Sequence, residues 1–155
     1  MNARLNVREV ELFRNLTEAQ AARLAGAALT QTIRRGDVIY RDGDPADRLH
    51  AILSGVVEIG RPGRGGRFVR LARLERGEVF GALGLLDGGK RAGTAQAAVV
   101  PETHLVSWEA PALEKIIAED PDFGRVLLRM LVARLAGRLR AASDAVFTLL
   151  QALPR

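Results

Sequence analysis

The chain has 155 residues, of which 48% are hydrophobic and 26% are charged, a composition typical of one globular domain with its own core. It contains no cysteine, which excludes disulfides, thiol catalysis, iron–sulfur clusters and cysteine-ligated zinc. The formal net charge is +5, but the 23 basic residues are scattered along the chain, which favours solvated faces over a nucleic-acid-binding surface.

The N-terminal part is predicted to be helical over residues 9–27. A short helix or turn with an apolar side covers residues 10–16. Thr17 and Gln20 have the spacing of a capping box, in which each side chain accepts a hydrogen bond from the other residue's backbone amide. The helix that they begin is expected to run to about Gly26, a residue type common just after a helix end.

Over residues 28–108 the pattern changes to short apolar or alternating segments between glycine, proline and aspartate turns. Strands of this length and spacing are typical of an antiparallel sandwich or roll. Eight strands are predicted, over residues 29–33, 38–40, 49–53, 56–59, 68–74, 79–80, 94–99 and 103–106. The glycine-rich segment 61–67 is predicted to be an exposed hairpin loop, because it lacks the strand–loop–helix context of a nucleotide-binding loop.

The segment 77–97 carries the clearest sign of a binding site. Phe80 ends a predicted strand, Gly81 follows it, and a short apolar run and a glycine pair separate Gly81 from Arg91. Glycine lets the backbone approach a ligand closely, and a helical turn that begins there directs unpaired N–H groups outward. An arginine ten residues later can grip the same anion with two donors. The pattern predicts a site for a phosphate group.

Residues 109–153 are predicted to be helical again. Ser107 is expected to cap a short helix over residues 109–118, and Asp120 and Pro121 have the residue types of an N-cap and a first helical position. From there to about residue 150 only Gly137 interrupts the helical pattern. The expected helix is about 45 Å long, which is more than one small roll can cover.

The apolar residues of this long helix repeat every seven positions, as in a coiled coil. Valine at a positions and leucine at d positions favour a parallel two-stranded coil. We therefore expect a homodimer; a monomer whose helix packs only on its own roll is the alternative. The seam would consist of Leu128, Val132, Leu135, Leu139, Ala142, Val146 and Leu149. The off-seam residues Leu127, Met130, Leu131, Phe147 and Leu150 would pack on the roll. The arginines Arg125, Arg129, Arg134, Arg138 and Arg140 are expected at outward positions.

In this order, the elements resemble the cyclic nucleotide-binding domain family of catabolite activators, protein kinase A regulatory subunits and gated channels. The resemblance covers roughly residues 12–150. It includes Arg-Gly-Asp-Val-Ile at 35–39, Asp-Gly-Asp at 42–44 and Leu-His-Ala-Ile-Leu-Ser-Gly-Val-Val-Glu at 49–58. The most specific match is to the family's phosphate cassette at 80–94, with Phe-Gly-Ala-Leu-Gly-Leu followed by Arg-Ala-Gly-Thr.

The resemblance implies a single α+β domain over residues 1–155. Its fold would be an eight-stranded antiparallel, jelly-roll-like β-roll with a short N-terminal helical segment and a long C-terminal helix. The implied ligand-binding residues are Phe80, Gly81, Ala82, Leu83, Arg91 and Ala92. Arg91 would pair with the phosphate of a cyclic nucleotide, and the amides of residues 82, 83 and 92 would donate to it or line its cage. The family's cGMP-preferring members have threonine where this chain has Ala92, so the resemblance favours cAMP.

Two departures from the family pattern affect these expectations. Ala82 replaces a glutamate that accepts a hydrogen bond from the ribose 2′-hydroxyl. Loss of a bond to a charged group, worth about 1.5–3 kcal/mol, would weaken binding on the order of 10- to 100-fold. A weakly bound cAMP, another anion and no ligand therefore all stay open. In addition, no helix-turn-helix follows the long helix, so we expect a stand-alone domain without sequence-specific DNA binding.

No catalytic or metal site is expected. His50 and His104 lie in separate predicted strands, whereas a metal-dependent roll enzyme needs three or four clustered ligands. Asp42, Asp44 and Asp47 lie in a turn, where aspartate makes local hydrogen bonds. We therefore expect no enzyme and no cofactor apart from a possible cyclic nucleotide ligand.

No apolar run reaches the roughly 18 residues of a membrane span, and no signal peptide precedes the first charged residues. We expect a cytoplasmic protein without membrane association. The leading hypothesis is a dimeric cyclic-nucleotide-binding sensor domain. The alternative is a degenerate module of the same fold that binds no nucleotide and acts in dimerisation or as a scaffold. Nonspecific nucleic-acid binding through the arginines is a third hypothesis.

Overall fold

A computed structural model describes residues 5–154 of the chain. All strand pairs are antiparallel, and the strands form two four-stranded sheets of order β1-β8-β3-β6 and β2-β7-β4-β5. The strands are β1 (Leu29–Arg34), β2 (Val38–Tyr40), β3 (Arg48–Ser54), β4 (Val56–Pro62), β5 (Phe68–Leu74), β6 (Val79–Phe80), β7 (Thr94–Ala98) and β8 (Glu102–Glu109). The predicted eight-stranded β-roll is confirmed, although residues 1–4 and 155 of the predicted domain lie outside the described residues.

Within residues 5–154, four α-helices and three short 3₁₀-helices accompany the sheets. The α-helices are α1 (Glu18–Gly26), α2 (Ala82–Asp87), α3 (Ala110–Glu119) and α4 (Pro121–Ala152). Two of the 3₁₀-helices precede α1, at Val7–Glu9 and Glu11–Phe13, and the third, Arg64–Gly66, lies in the hairpin between β4 and β5. The predicted hairpin is confirmed, but its loop covers residues 63–67 rather than 61–67, because β4 continues to Pro62.

The start of α1 follows the predicted capping box. The Thr17 hydroxyl accepts from the Gln20 amide at 3.2 Å, and the Gln20 side chain accepts from the Thr17 amide at 3.1 Å. The predicted extent to about Gly26 is confirmed, but the expected position of Gly26 just after the helix end was wrong. Gly26 is still helical, and the helix ends when the Ala27 amide donates to the Leu24 carbonyl oxygen at 3.3 Å.

Strand β8 continues three residues further than predicted, to Glu109. Ser107 therefore lies in the strand and does not cap α3, which begins after Glu109. The extension buries Trp108 completely, and its indole Nε1 donates to the Leu24 carbonyl oxygen at 2.8 Å. Phe13 meets the indole edge-on at a ring distance of 5.1 Å. This contact joins the N-terminal helices to the roll.

Two apolar clusters fill the interior. One lies between the two sheets and consists of Ile52, Val57, Leu74, Phe80, Ala95 and Leu105. The other packs the helices on the outer side of the β3–β8 pair and includes Leu24, Trp108, Leu113, Phe123, Leu127 and Leu131. Phe123, Leu127 and Leu131 thus attach the first half of α4 to the roll.

The second half of α4 leaves the roll. Every residue from 139 to 154 is exposed. The prediction that the off-seam residues pack on the roll is confirmed for Leu127, Met130 and Leu131. It was wrong for Phe147 and Leu150, which are 61% and 63% exposed, because a helix of 32 residues extends about 48 Å.

Despite this length, no helix among residues 5–154 is apolar enough to cross a membrane.

The turn between β3 and β4 requires glycine for a steric reason. Gly55 has φ 98°, and a Cβ there would lie 2.7 Å from the Thr103 Cα. Gly36 also has a positive φ, of 90°, but nothing lies within 4 Å of its Cβ position. At both positions the positive φ would strain any residue other than glycine. Only the second position has space for a Cβ atom.

We expect Gly55→Ala to lower the free energy of unfolding by at least about 2 kcal/mol more than Gly36→Ala does, since overpacking adds to the strain of a positive φ. The Thr103 hydroxyl, which bonds both the Val56 amide and its carbonyl at 3.2 Å, would have to move. Urea denaturation of both variants measures the difference. Equal losses would contradict the steric account.

Candidate functional site

The glycine-rich segment after β6 forms one wall of a cavity at the edge of the roll. Gly81 has φ 83° and directly precedes α2. A Cβ at this position would lie 2.5 Å from the Arg91 Nη1 and 3.1 Å from the Arg48 carbonyl oxygen. The position therefore requires glycine for both its backbone conformation and its close approach to Arg91.

Arg91 is buried, with only 4% of its surface exposed. As the sequence predicts, it folds back to Gly81. Its Nη1 donates to the Gly81 carbonyl oxygen at 2.8 Å, and its Nη2 donates to the Arg48 carbonyl oxygen at 2.9 Å. The Asp47 carboxylate lies 3.5 Å from Nη2, whereas Nε has no partner among residues 5–154. Arg91 is thus held firmly but keeps one buried donor available.

Electrostatics at Arg91 combine burial with the effects of neighbouring titratable groups. Burial lowers the pKa of Arg91, while Tyr40 and the carboxylates of Asp47 and Asp44 act in the opposite direction. An arginine stays protonated in proteins despite such shifts. The site therefore presents a permanent and partly compensated positive charge.

Tyr40 supports the guanidinium from one face. The Arg91 Cζ lies 4.1 Å from the centre of the Tyr40 ring, within the range of a cation–π interaction. Burial raises the pKa of Tyr40, whose phenol therefore stays neutral beside the arginine. Tyr40 in turn contacts His50 and Phe80, with ring centres 5.8 Å and 6.0 Å away. Aromatic rings thus form a platform under Arg91.

His50 completes this platform and stays neutral. Its ring stacks on Phe80 at 5.0 Å, and its Nδ1 is buried without a partner among the described residues. Burial, together with the smaller effects of the Arg91 and Arg48 charges, lowers the pKa of His50 to about 3. His104, by contrast, lies exposed in β8, with Nδ1 3.0 Å from the Thr32 hydroxyl. No group of three potential metal ligands occurs among residues 5–154.

All six residues proposed from the sequence as the binding site line one cavity of about 110 Å³. These are Phe80, Gly81, Ala82, Leu83, Arg91 and Ala92. The cavity also has an apolar lining from the sheets and from α4, consisting of Ile59, Val79, Leu131 and Leu135. It is smaller than most small-molecule sites, which enclose about 300–1,000 Å³.

The sequence-based prediction missed two arginines of α4 that also line the cavity. Arg134 donates to the Glu78 carboxylate at 2.6 Å, and Arg138 lies 3.4 Å from the Val79 carbonyl oxygen. Their predicted outward position on a coiled coil was therefore wrong. Together with Leu127 and Leu131 they follow one another at four- and three-residue steps, and this spacing could have placed them on the roll-facing side.

Neither nearby acidic residue replaces the carboxylate that is missing at Ala82. Glu78 is engaged by Arg134 and by the Glu75 amide, which donates to it at 2.8 Å. Asp87 accepts from the Gly89 amide at 2.8 Å. Within residues 5–154 the cavity lining includes three arginines and no carboxylate. The arrangement suits an anion.

The aspartates of the turn before β3 divide between two roles. Asp44 accepts from the Arg41 amide at 2.8 Å, the local hydrogen bond that the sequence predicts. Asp47 instead faces the Arg91 guanidinium. Sequence alone could not assign these two roles to individual aspartates. The packing of the turn against α2 decides which aspartate contacts Arg91.

Comparison with known proteins gives consistent matches. The cyclic nucleotide-binding domain family model matches residues 30–120. The chain is 36% identical over 127 residues to a CRP-like cAMP-activated global transcriptional regulator of Mycobacterium tuberculosis, a match that covers 79% of this chain and 56% of the relative. The chain spans about half the length of the curated relatives it matches.

Two solved structures share the fold and some of the sequence. The N-terminal domain of a transcriptional regulator from Streptomyces coelicolor A3(2) matches with a TM-score of 0.71 and 32% identity, over 92% of this chain and 95% of that domain. The catabolite activator protein of Thermus thermophilus matches with a TM-score of 0.74 and 30% identity, over 89% of this chain and 62% of that protein.

The low pKa of His50 predicts a loss of stability in mild acid. Because the folded pKa of about 3 lies below the ordinary 6.5, the unfolded chain takes up a proton first as the pH falls through this window. Protonation of His50 in the unfolded chain should therefore lower the free energy of unfolding by about 2 kcal/mol at pH 5 relative to pH 7.

Urea denaturation at pH 7 and pH 5 tests this, with His50→Phe to remove the titrating group and His104→Phe as the matched control. The decrease in the free energy of unfolding from pH 7 to pH 5 should be about 2 kcal/mol smaller in His50→Phe than in the unaltered protein. In His104→Phe this decrease should be unchanged. The same pH dependence in all three proteins would show that His50 is not held neutral.

Proposed function

The chain belongs to the cyclic nucleotide-binding domain family, and we propose that it is a regulatory sensor domain whose ligand, in the first instance cAMP, binds through Arg91. One observation carries the proposal. A buried arginine with an unpartnered Nε lines a cavity whose wall is a glycine turn at the start of α2. The Mycobacterium tuberculosis relative is described as cAMP-activated, which supports cAMP as the first ligand to test.

Arg91 is positioned to receive a phosphate. Its Nη1 and Nη2 are already oriented by the carbonyl oxygens of Gly81 and Arg48, and Tyr40 fixes the plane of the guanidinium. A phosphate oxygen gives the buried Nε the acceptor it lacks, and charge-assisted bonds of this kind are the strong ones. The Asp47 carboxylate, whose side chain is 70% exposed, is free to turn away to water.

The ribose is recognised less well than the phosphate. Ala82 offers no acceptor to a 2′-hydroxyl, and the carboxylates of Glu78 and Asp87 are engaged elsewhere. Binding is therefore weakened on the order of 10- to 100-fold relative to a site with a carboxylate at this position. The affinity for cAMP is expected to be modest.

Ligand entry is coupled to the long helix. Arg134 and Arg138 reach from α4 over a cavity of about 110 Å³ and contact Glu78 and Val79. A nucleotide needs more room than this, so the arginine contacts must loosen and α4 must shift when it binds. A ligand that favours the shifted position changes the population of α4 conformations, which is how the domain signals.

The exposed face of α4 is the surface on which such a shift acts. Its seam residues Val132, Leu139, Val146 and Leu149 are 55–68% exposed in the single chain. A parallel coil with a second copy covers them in the predicted heptad register. The proposed sensor is therefore a homodimer in which the ligand changes the relation between two α4 helices.

The alternative function is a degenerate module of the same fold that dimerises without a ligand. The small cavity and Ala82 favour it. Both proposals are regulatory rather than catalytic, in line with relatives described as transcriptional regulators. Nonspecific nucleic-acid binding gains less support, because many of the arginines are in ion pairs, including Arg23, Arg48, Arg61, Arg70, Arg73 and Arg76.

Arg91→Gln should weaken cAMP binding about 100-fold or more, because it removes a charge-assisted contact with more than one donor. Isothermal titration with cAMP and cGMP measures this, and Lys90→Gln, an exposed cation next in sequence, is the control. Absence of heat in the unaltered protein at millimolar ligand, or equal binding by Arg91→Gln, would favour the ligand-free module.

Leu139→Arg should convert the dimer to a monomer, since it places like charges opposite each other in the seam. Ala141→Arg, an exposed position off the seam, should leave the dimer intact. Sedimentation velocity measures both. A monomeric unaltered protein, or a Leu139→Arg protein that still dimerises, would refute the coiled-coil seam.

A further inference from the structure

The charges around the cavity are not balanced for a ligand with one negative charge. Arg91 is partly compensated by Asp47, and Arg134 is paired with Glu78. Arg138 takes part in no ion pair found within residues 5–154, and its closest polar contact is the long one to the Val79 carbonyl oxygen. A cyclic phosphodiester carries a single negative charge, which Arg91 takes up in the proposed function.

Arg138 is also partly removed from water. Burial lowers the pKa of Arg138, and the neighbouring charge of Arg134 acts in the same direction, against smaller opposing effects of Glu78 and Tyr40. Removing a guanidinium from water without a partner anion is costly. An anionic group that reaches Arg138 would recover this cost and would gain a charge-assisted bond.

We propose that Arg138 forms a second anion subsite, so that the preferred ligand of this chain carries two anionic groups, one at Arg91 and one at Arg138. The inference rests on the proposed function for the Arg91 contact and adds the class of ligand. A nucleotide with a second phosphate and a small dicarboxylate share this chemistry. Ala82 fits the same requirement, since a carboxylate there would repel a second anion.

The two subsites lie on different parts of the fold. Arg91 belongs to the roll, whereas Arg138 belongs to α4, and Leu131 and Leu135 line the cavity from the same helix. A ligand with two anionic groups therefore bridges the roll and α4, whereas a single phosphate contacts the roll alone. The second anionic group of the ligand therefore holds α4 on the roll.

The test is isothermal titration of the unaltered protein with cAMP, adenosine 3′,5′-bisphosphate and succinate. Succinate carries two negative charges and the bisphosphate roughly three to four at pH 7, and both offer one anionic group to each subsite. We expect one of these two ligands to bind at least about tenfold tighter than cAMP, and the better of the two identifies the source of the second anionic group. Arg138→Gln should reduce the binding of that ligand about 10- to 100-fold and change cAMP binding by less than about threefold. Arg138→Lys, which keeps the charge, should retain most of the preference.

Arg140→Gln removes an exposed arginine two residues further along the same helix and should change neither affinity. Tighter binding of cAMP than of both the bisphosphate and succinate, or a preference for either of these two that survives Arg138→Gln, would overturn the second subsite. If cAMP then still binds through Arg91, the proposed function stands without it. If none of the three ligands binds, both the proposed function and the second subsite are wrong.

Discussion

The burial of the Arg91 guanidinium is the constraint on which the rest of the site depends. A buried guanidinium needs acceptors, and the chain supplies two backbone carbonyl oxygens, a carboxylate and an aromatic face. These partners come from β2, from the turn before β3, from the first residue of β3 and from the residue before α2. Arg91 therefore ties the cavity wall to the roll and holds a permanent positive charge in the cavity.

Helix α4 connects this charge to the surface of the molecule. Its first half packs on the roll and covers the cavity with Arg134 and Arg138, and its second half presents an unpartnered apolar face. In the proposed function, this one helix senses the cavity at one end and offers a dimer seam at the other. A ligand that competes for the α4 contacts would then change the position of the seam without any other moving part.

The fold was largely predictable, because each strand has its own apolar pattern between turn residues and because Thr17 and Asp120 cap α1 and α4. Strand β8 was longer than predicted. Its added part is stabilised by the burial of Trp108 against Phe13 and Leu24, which are distant in sequence and do not show in the local pattern. The cassette residues were found as a contiguous motif. Tyr40 and Asp47 were missed as site residues because only tertiary packing brings them to Arg91. Arg134 and Arg138 were missed because they were assigned to the outer face of a coiled coil, although their spacing with Leu127 and Leu131 places them on the side that faces the roll.

A crystal structure of the protein grown with saturating cAMP tests the central claim most directly, namely that capture of a single phosphate at Arg91 releases α4. We predict ligand density within hydrogen-bond distance of the Arg91 guanidinium, with the Arg134–Glu78 ion pair broken and α4 displaced from the cavity. Ligand density at Arg91 with that ion pair intact and α4 unmoved would contradict the coupling. An empty cavity would contradict capture itself.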